Sequence, residues 1–236
     1  MQTPSALDDG IIHVLRARLD APPLPIDVLM SFVTDQERQR AARFRLVADA
    51  HRHVIGRGIA RLALARLGQC EPAGIALRVS AEGKLFLDDG PSFNIAHSGN
   101  DVLIGLAATG RLGVDVEAVR ALDDLFGVAR ASFVASEVEA LMQRPDAEQL
   151  RHFYRTWSRK EAMLKALGVG IGALQSLTVS ADLECDNALI RLDLPNERME
   201  EWVVRPVPCS DVVETAVAWD QPLRSVIVTE LAAATS

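Results

Sequence analysis

The chain runs twice through one order, a helical stretch followed by a run of short strand-like segments, and that repeat restricts its folds more than any single residue does. In the first pass "SFVTDQERQRAARFRLVADAHRHVIGRGIARLALARLG" reads as one or two helices. Thr34 is its N-cap, Glu37 stands three residues on in the capping-box position, and Gly68 is the stop. Ahead of it "IIHVLRARLD" alternates like a half-exposed strand and is closed by the proline cluster "APPLP". The strand signals "GIALRVSA", "KLFL", "FNIAHS", "DVLIGLAAT" and "RLGVDVEAV" follow. In the second pass "SEVEALM", capped by Ser136 with Glu139, and "LRHFYRTWSRKEAMLKALG" are helical, and "LTVSADL", "ALIRLDLP", "EEWVVRPV" and "VVETAVAW" are strand-like. The pattern is that of an α+β protein of two similar halves, 1–110 and 111–236, a duplication joined near Gly110 to Gly113. A single continuous domain is the alternative.

At 236 residues and 49% hydrophobic, the chain can bury a sizeable core. Its net charge of -7 argues against general nucleic-acid binding, which relies on excess Lys and Arg to neutralise phosphates. Cys70, Cys185 and Cys209 are far apart and form no CxxC pair, so neither a disulfide framework nor a zinc site is indicated. "MQTPSALDDG" lacks a basic region followed by an apolar run, and no segment approaches the roughly 18 continuous apolar residues of a membrane helix. These features predict a cytoplasmic protein that does not span a membrane.

The stretch "GVDVEAV" carries an apparent conflict. Side chains two apart on a strand point the same way, so Asp115 and Glu117 share one face, roughly 6–7 Å apart, while Val114, Val116 and Ala118 face the core. A solvated edge strand with surface acids also fits these seven residues. In "TWSRKEAMLKALG", at about 100° per residue, Met163, Leu164 and Leu167 cluster on a buried side. Trp157, Glu161 and Lys165 form a row at its border, with Lys160 on the other flank; an ordinary Glu–Lys pair one turn apart fits as well. Three carboxylates and two lysines together suit a hard divalent cation held against a diphosphate.

"QRQRAARFR" and "DAHRHVIGR" concentrate Arg38, Arg40, Arg43, Arg45, Arg52 and Arg57 in an otherwise acidic chain, which fits a local anion site or a set of surface arginines. His97 and Ser98 in "FNIAHSGN" are ambiguous alone: no GxSxG elbow surrounds the serine, and adjacent residues rarely make a productive dyad.

Taken in order, "DAHR", "GK", "FNIAHSG", "GVDVE" and "WSRKEAMLKALGVGI" resemble the signature series of the Sfp-type 4'-phosphopantetheinyl transferases, from about Thr34 to Ile171. The resemblance implies a monomeric pseudo-dimer of two α+β halves with the active site, and coenzyme A, in the cleft between them. It implies transfer of the phosphopantetheine arm of coenzyme A to a serine of an apo acyl or peptidyl carrier protein, releasing adenosine 3',5'-bisphosphate. By the same resemblance Asp115, Glu117 and Glu161 are magnesium ligands, Glu161 takes the serine proton, and Lys160 and Lys165 contact the diphosphate. Arg52 and His97, with Ser98 in the same block and Arg40 assisting, match the positions that hold the 3'-phosphate, and Lys84 lines the adenine pocket. The apolar stretch with Phe126, Val128 and Phe133 falls where the family docks the carrier helix; core packing is its other reading. Three departures from the family pattern are Glu37 for an often basic residue, Ala96 for a serine and Leu85 for a proline. Another magnesium-dependent phosphoryl or nucleotidyl transferase, or an inactive carrier-docking module, are the competing functions.

Overall fold

The computed structural model describes residues 6–183 and 185–232. In chain order the elements are β1 (Ile11–Arg18), α1 (Ile26–Ser31), α2 (Asp35–Ala41), α3 (Val47–Gly68), β2 (Arg78–Val79), β3 (Leu85–Phe86), β4 (Ser92–Ser98), β5 (Asp101–Ala107) and β6 (Leu112–Ala118). Then follow α4 (Leu125–Ser132), α5 (Ala135–Met142), α6 (Asp146–Leu167), β7 (Leu177–Val179), β8 (Leu189–Leu192), β9 (Val203–Pro206), β10 (Val213–Trp219) and β11 (Ser225–Leu231). One sheet has the order β11-β1-β5-β4, a second β6-β10-β9, and β2-β3 and β7-β8 form two-stranded ribbons. The expected α+β class holds.

The two main sheets stack between the two 22-residue helices, giving the layers α3, first sheet, second sheet, α6. Strand alternation builds this order. Leu15, Phe93, Ile104 and Leu106 face Ile59 and Ala63 of α3, while Ile12, Val14 and Leu103 turn the other way onto Val114, Val116 and Val217. The second sheet's remaining face offers Ala216 and Ala218 to Met163 and Leu164 of α6. Two side chains stitch the sheets together at β4: Asn94 Oδ1 accepts from the Val114 amide (2.9 Å) and Ser98 Oγ from the Ala118 amide (3.1 Å).

The face of β6 that carries Asp115 and Glu117 is therefore not a solvent face. Gly113, on the same side, stands directly beneath α6, and a Cβ added there would intrude on Ala162 O and Ala166 N. With Ala218 opposite Gly113 and Ala216 opposite Asp115 in the register, small residues allow the helix backbone to approach the strand. Gly113→Ala is expected to destabilise by about 1–3 kcal/mol, since both obstacles are backbone atoms that cannot step aside. Gly170→Ala, where a Cβ meets nothing within 4 Å, should stay within about 0.5 kcal/mol. Urea unfolding of both variants checks the difference, and equal midpoints would contradict the close approach.

The capping box at Thr34 forms as expected, the Thr34 amide donating to Glu37 Oε2 (3.0 Å) and the Glu37 amide to Thr34 Oγ1 (3.3 Å). Helix α3 ends at Gly68, with Gln69 in the left-handed region at φ 50°. Ser136 is not a cap. Helix α5 starts one residue earlier, and Glu137, not Glu139, carries its carboxylate back to the Val134 amide (3.1 Å). The segment "GIALRVSA" shrinks to the two residues of β2, and β11 was not among the expected strands. It pairs in parallel with β1, Ile11 opposite Ser225.

Candidate active site

Helix α6 is buried on more sides than its apolar stripe implies: Ser158, Arg159 and Lys160 are as inaccessible as Met163. Arg151, Arg155, Trp157, Glu161, Lys165 and Leu167 are only partly covered, and the expected row of Trp157, Glu161 and Lys165 lies along this opening. Lys165 reaches the strand below, its Nζ 2.5 Å from Asp115 Oδ1. Asp115 is 2% exposed, and its Oδ2 is buried without a hydrogen-bond partner. Burial pushes this carboxyl up to about 7, with the charges of Glu117 and Glu161 adding to the effect and Lys165 opposing it. Burial also raises Glu117, whose Oε2 accepts from Ser98 Oγ at 2.9 Å. Burial works against the Lys165 ammonium, yet Asp115, Glu161 and Glu117 together hold its pKa above the ordinary value.

Three acids thus act on one another and on a single ammonium. A buried carboxylate with an orphaned oxygen, beside a second carboxylate on the same strand face, fits a hard cation by its donor chemistry. Among the described residues no three His, Cys, Asp or Glu side chains stand close enough to hold a metal ion as they are placed, and the cation beside Asp115 here is Lys165.

Next to this cluster lies a cavity of about 280 Å³, lined by Arg52, His53 and Arg57 from α3, Lys84 ahead of β3, His97 from β4 and Lys165 from α6. Arg52 pairs with Asp49 (2.6 Å) and donates to Gly99 O (3.3 Å). Lys84 donates to Leu112 O (3.1 Å) and to Ala166 O (2.9 Å) near the end of α6, and burial pushes its pKa down to about 8. The His97 imidazole is lowered by burial and by the neighbouring Lys165 and Arg52 charges.

Of the expected site residues, Asp115 and Lys165 are in contact, Glu117 and Glu161 lie within electrostatic reach of both, and Arg52, Lys84 and His97 line the cavity beside them. Three do not join them. Arg40 is exposed on α2 and does not line the cavity. Ser98 points to the opposite side of β4 from His97, as strand neighbours must, and its hydroxyl serves Glu117 and the Ala118 amide. Lys160 is fully buried, with Nζ 2.5 Å from Glu137 Oε2, 2.8 Å from Leu177 O and over the Phe133 ring. Five residues on a helix are about 140° apart around its axis, so Lys160 cannot face the same way as Lys165. In the apolar stretch Phe133 is core, stacked near Phe153, Phe126 is partly buried, and Val128 is exposed.

The departures each have a place. Glu37 is the hub joining α2 to Arg57 and Arg61 of α3, both at 2.9 Å. Ala96 is buried on the side of β4 that meets the second sheet, and Leu85 packs on the α3 core while lining the cavity. Sequence reasoning passed over Glu137 and Asn94 and left Arg57 unassigned; for Arg57 the signal was its spacing of four from His53, about one turn further along α3.

Two family models match the chain, "4'-phosphopantetheinyl transferase, N-terminal" over residues 24–109 and "4'-phosphopantetheinyl transferase superfamily" over 111–217. The 4'-phosphopantetheinyl transferase HetI of Nostoc sp. is 33% identical over 174 residues, which cover 72% of this chain and 73% of HetI. The chain belongs to the Sfp-type 4'-phosphopantetheinyl transferases. Sfp of Bacillus subtilis (strain 168) is 31% identical over 60% of this chain and 63% of its own length, and another Bacillus subtilis 4'-phosphopantetheinyl transferase is 29% identical over 83% and 86%. As in the family to which it belongs, this transferase is an enzyme of α+β architecture, and no helix of its described residues is long and apolar enough to cross a membrane.

Proposed function

We propose that this transferase moves the 4'-phosphopantetheine arm of coenzyme A onto a serine of an apo acyl or peptidyl carrier protein, in a magnesium-dependent reaction that releases adenosine 3',5'-bisphosphate. The observation that carries the reading is the junction of a buried acidic cluster with a cavity whose walls bear Arg52, Lys84, His97 and Lys165. Such walls suit a polyanion such as the coenzyme's phosphates. Asp115, Glu117 and Glu161 would hold the magnesium ion, which when bound neutralises the diphosphate and makes its phosphorus more electrophilic. Lys165 turns from Asp115 to the diphosphate and offsets charge on the leaving nucleotide. The serine oxygen attacks the pantetheine-side phosphorus, the bond from that phosphorus to the bridging oxygen breaks, and Glu161 takes the hydroxyl proton. Arg52 and His97 hold the 3'-phosphate, and Lys84 orients the adenine end. The carrier's helix meets the exposed side of α4 around Val128. A monomer acting in the cytoplasm belongs to this reading, supported by the free thiols Cys70, Cys185 and Cys209 and by both cavity walls coming from one chain.

Incubation with coenzyme A, magnesium and an apo carrier domain should add one phosphopantetheine to the carrier, read by mass spectrometry. Absence of the adduct on every one of several acyl and peptidyl carriers would sink the reading.

A further inference from the structure

Arg52, His53, Gly56 and Arg57 of helix α3 line the cavity as two pairs one turn apart, Arg52 with Gly56 and His53 with Arg57. Arg57 is 8% exposed, and its guanidinium is fixed at two points. Nε donates to His53 Nε2 (3.0 Å) and Nη1 to Glu37 Oε1 (2.9 Å). Neither holder is loose. Glu37 is itself tied to the Thr34 amide and to Arg61 (2.9 Å). His53 is pushed down to about 4 by burial and by the Arg57 and Arg40 charges, so at neutral pH it is uncharged and its Nε2 remains an acceptor. A planar guanidinium held on two edges presents its remaining N–H groups in a set direction, the geometry that suits a phosphate oxygen. Burial nevertheless lowers the Arg57 pKa despite Glu37, so the cation is short of negative charge and an arriving anion would be favoured. Arg52, the other α3 cation in the wall, already shares its charge with Asp49.

We propose that Arg57 is a further substrate-binding residue, contacting the 3'-phosphate of coenzyme A, and that Glu37 and His53 are the positioning residues that aim it. This rests on the transferase reading above. It also gives the acid at position 37 a purpose: where relatives often carry a base, this chain places a holder there and sets the base on α3.

Calorimetric titration of the full chain with coenzyme A and with 3'-dephospho-coenzyme A tests it. Arg57→Met keeps the apolar stem and leaves Glu37 paired with Arg61, so the fold should persist. Loss of a charged hydrogen bond should weaken coenzyme A by about tenfold or more and 3'-dephospho-coenzyme A by less than about threefold. Arg57→Lys, which keeps the charge without the fork, should show a smaller loss with the same selectivity, and it carries the comparison if the methionine variant does not fold. Equal weakening of both ligands, or of neither, overturns the assignment of Arg57 alone. Failure of the unmodified protein to bind coenzyme A overturns the transferase reading and Arg57 with it.

Discussion

Asp115→Ala and Glu161→Ala are each expected to lower the rate of phosphopantetheine transfer by on the order of 10²–10⁴-fold while the protein stays folded. The fold should tolerate the first change because the native carboxylate is held under strain of charge: it is buried, one oxygen has no partner, and burial with two neighbouring acids raises its pKa. Lys165, left behind, keeps access to the cavity, so removing Asp115 does not strand a buried ammonium. Asp115→Asn and Glu161→Gln keep the shapes and remove the charges, and should fall almost as far as the alanine variants. Initial rates by mass spectrometry at limiting magnesium, with circular dichroism as the control for folding, make the measurement. Near-normal turnover in either alanine variant would remove that residue from the reacting centre.

Lys160→Met should fail in a different way, losing about 3–5 kcal/mol of stability while the KM for coenzyme A changes by less than about twofold. Its ammonium lies inside the second half, and without it the Glu137 carboxylate is left charged and buried. That carboxylate also accepts from the amides of Val134 (3.1 Å) and Val179 (2.8 Å), so α5, α6 and β7 share one polar knot. Changing Glu137 to Gln in the same variant removes the stranded charge and retains an acceptor for those amides, and should recover much of the loss. Urea unfolding and steady-state kinetics distinguish this from a diphosphate contact, for which stability would hold and the KM for coenzyme A would rise.

The contrast between the two lysines shows what the residue order reveals. The long helices, the capping box at Thr34 and the acidic strand are local patterns, and they were legible. The acids on β6 and the row on α6 are each local too, and the one direct contact between them is that of Lys165 with Asp115. The fate of Lys160 is not local: its partner Glu137 lies 23 residues away on another helix, and nothing in "WSRKEAMLK" says that this side is packed. The same holds for Ser98, whose neighbour His97 suggested a shared task until the strand turned them apart. For the acidic face a solvent-exposed edge stands as an alternative in the sequence, because alternation reports that a side is polar, not which element lies over it.

The parallel pairing of β1 with β11 bears on how the molecule comes into being. Arg16 of β1 bonds Asp101 of β5 at 2.7 Å and Glu230 of β11 at 3.0 Å, the latter a partner 214 residues away. During synthesis on a ribosome the first sheet is thus left with an open edge until β11 has emerged, although most of its own residues came out early. Such long-range closure slows folding and leaves an unpaired edge available to other chains in the meantime. Cutting the gene between β5 and β6 would not release a finished first sheet.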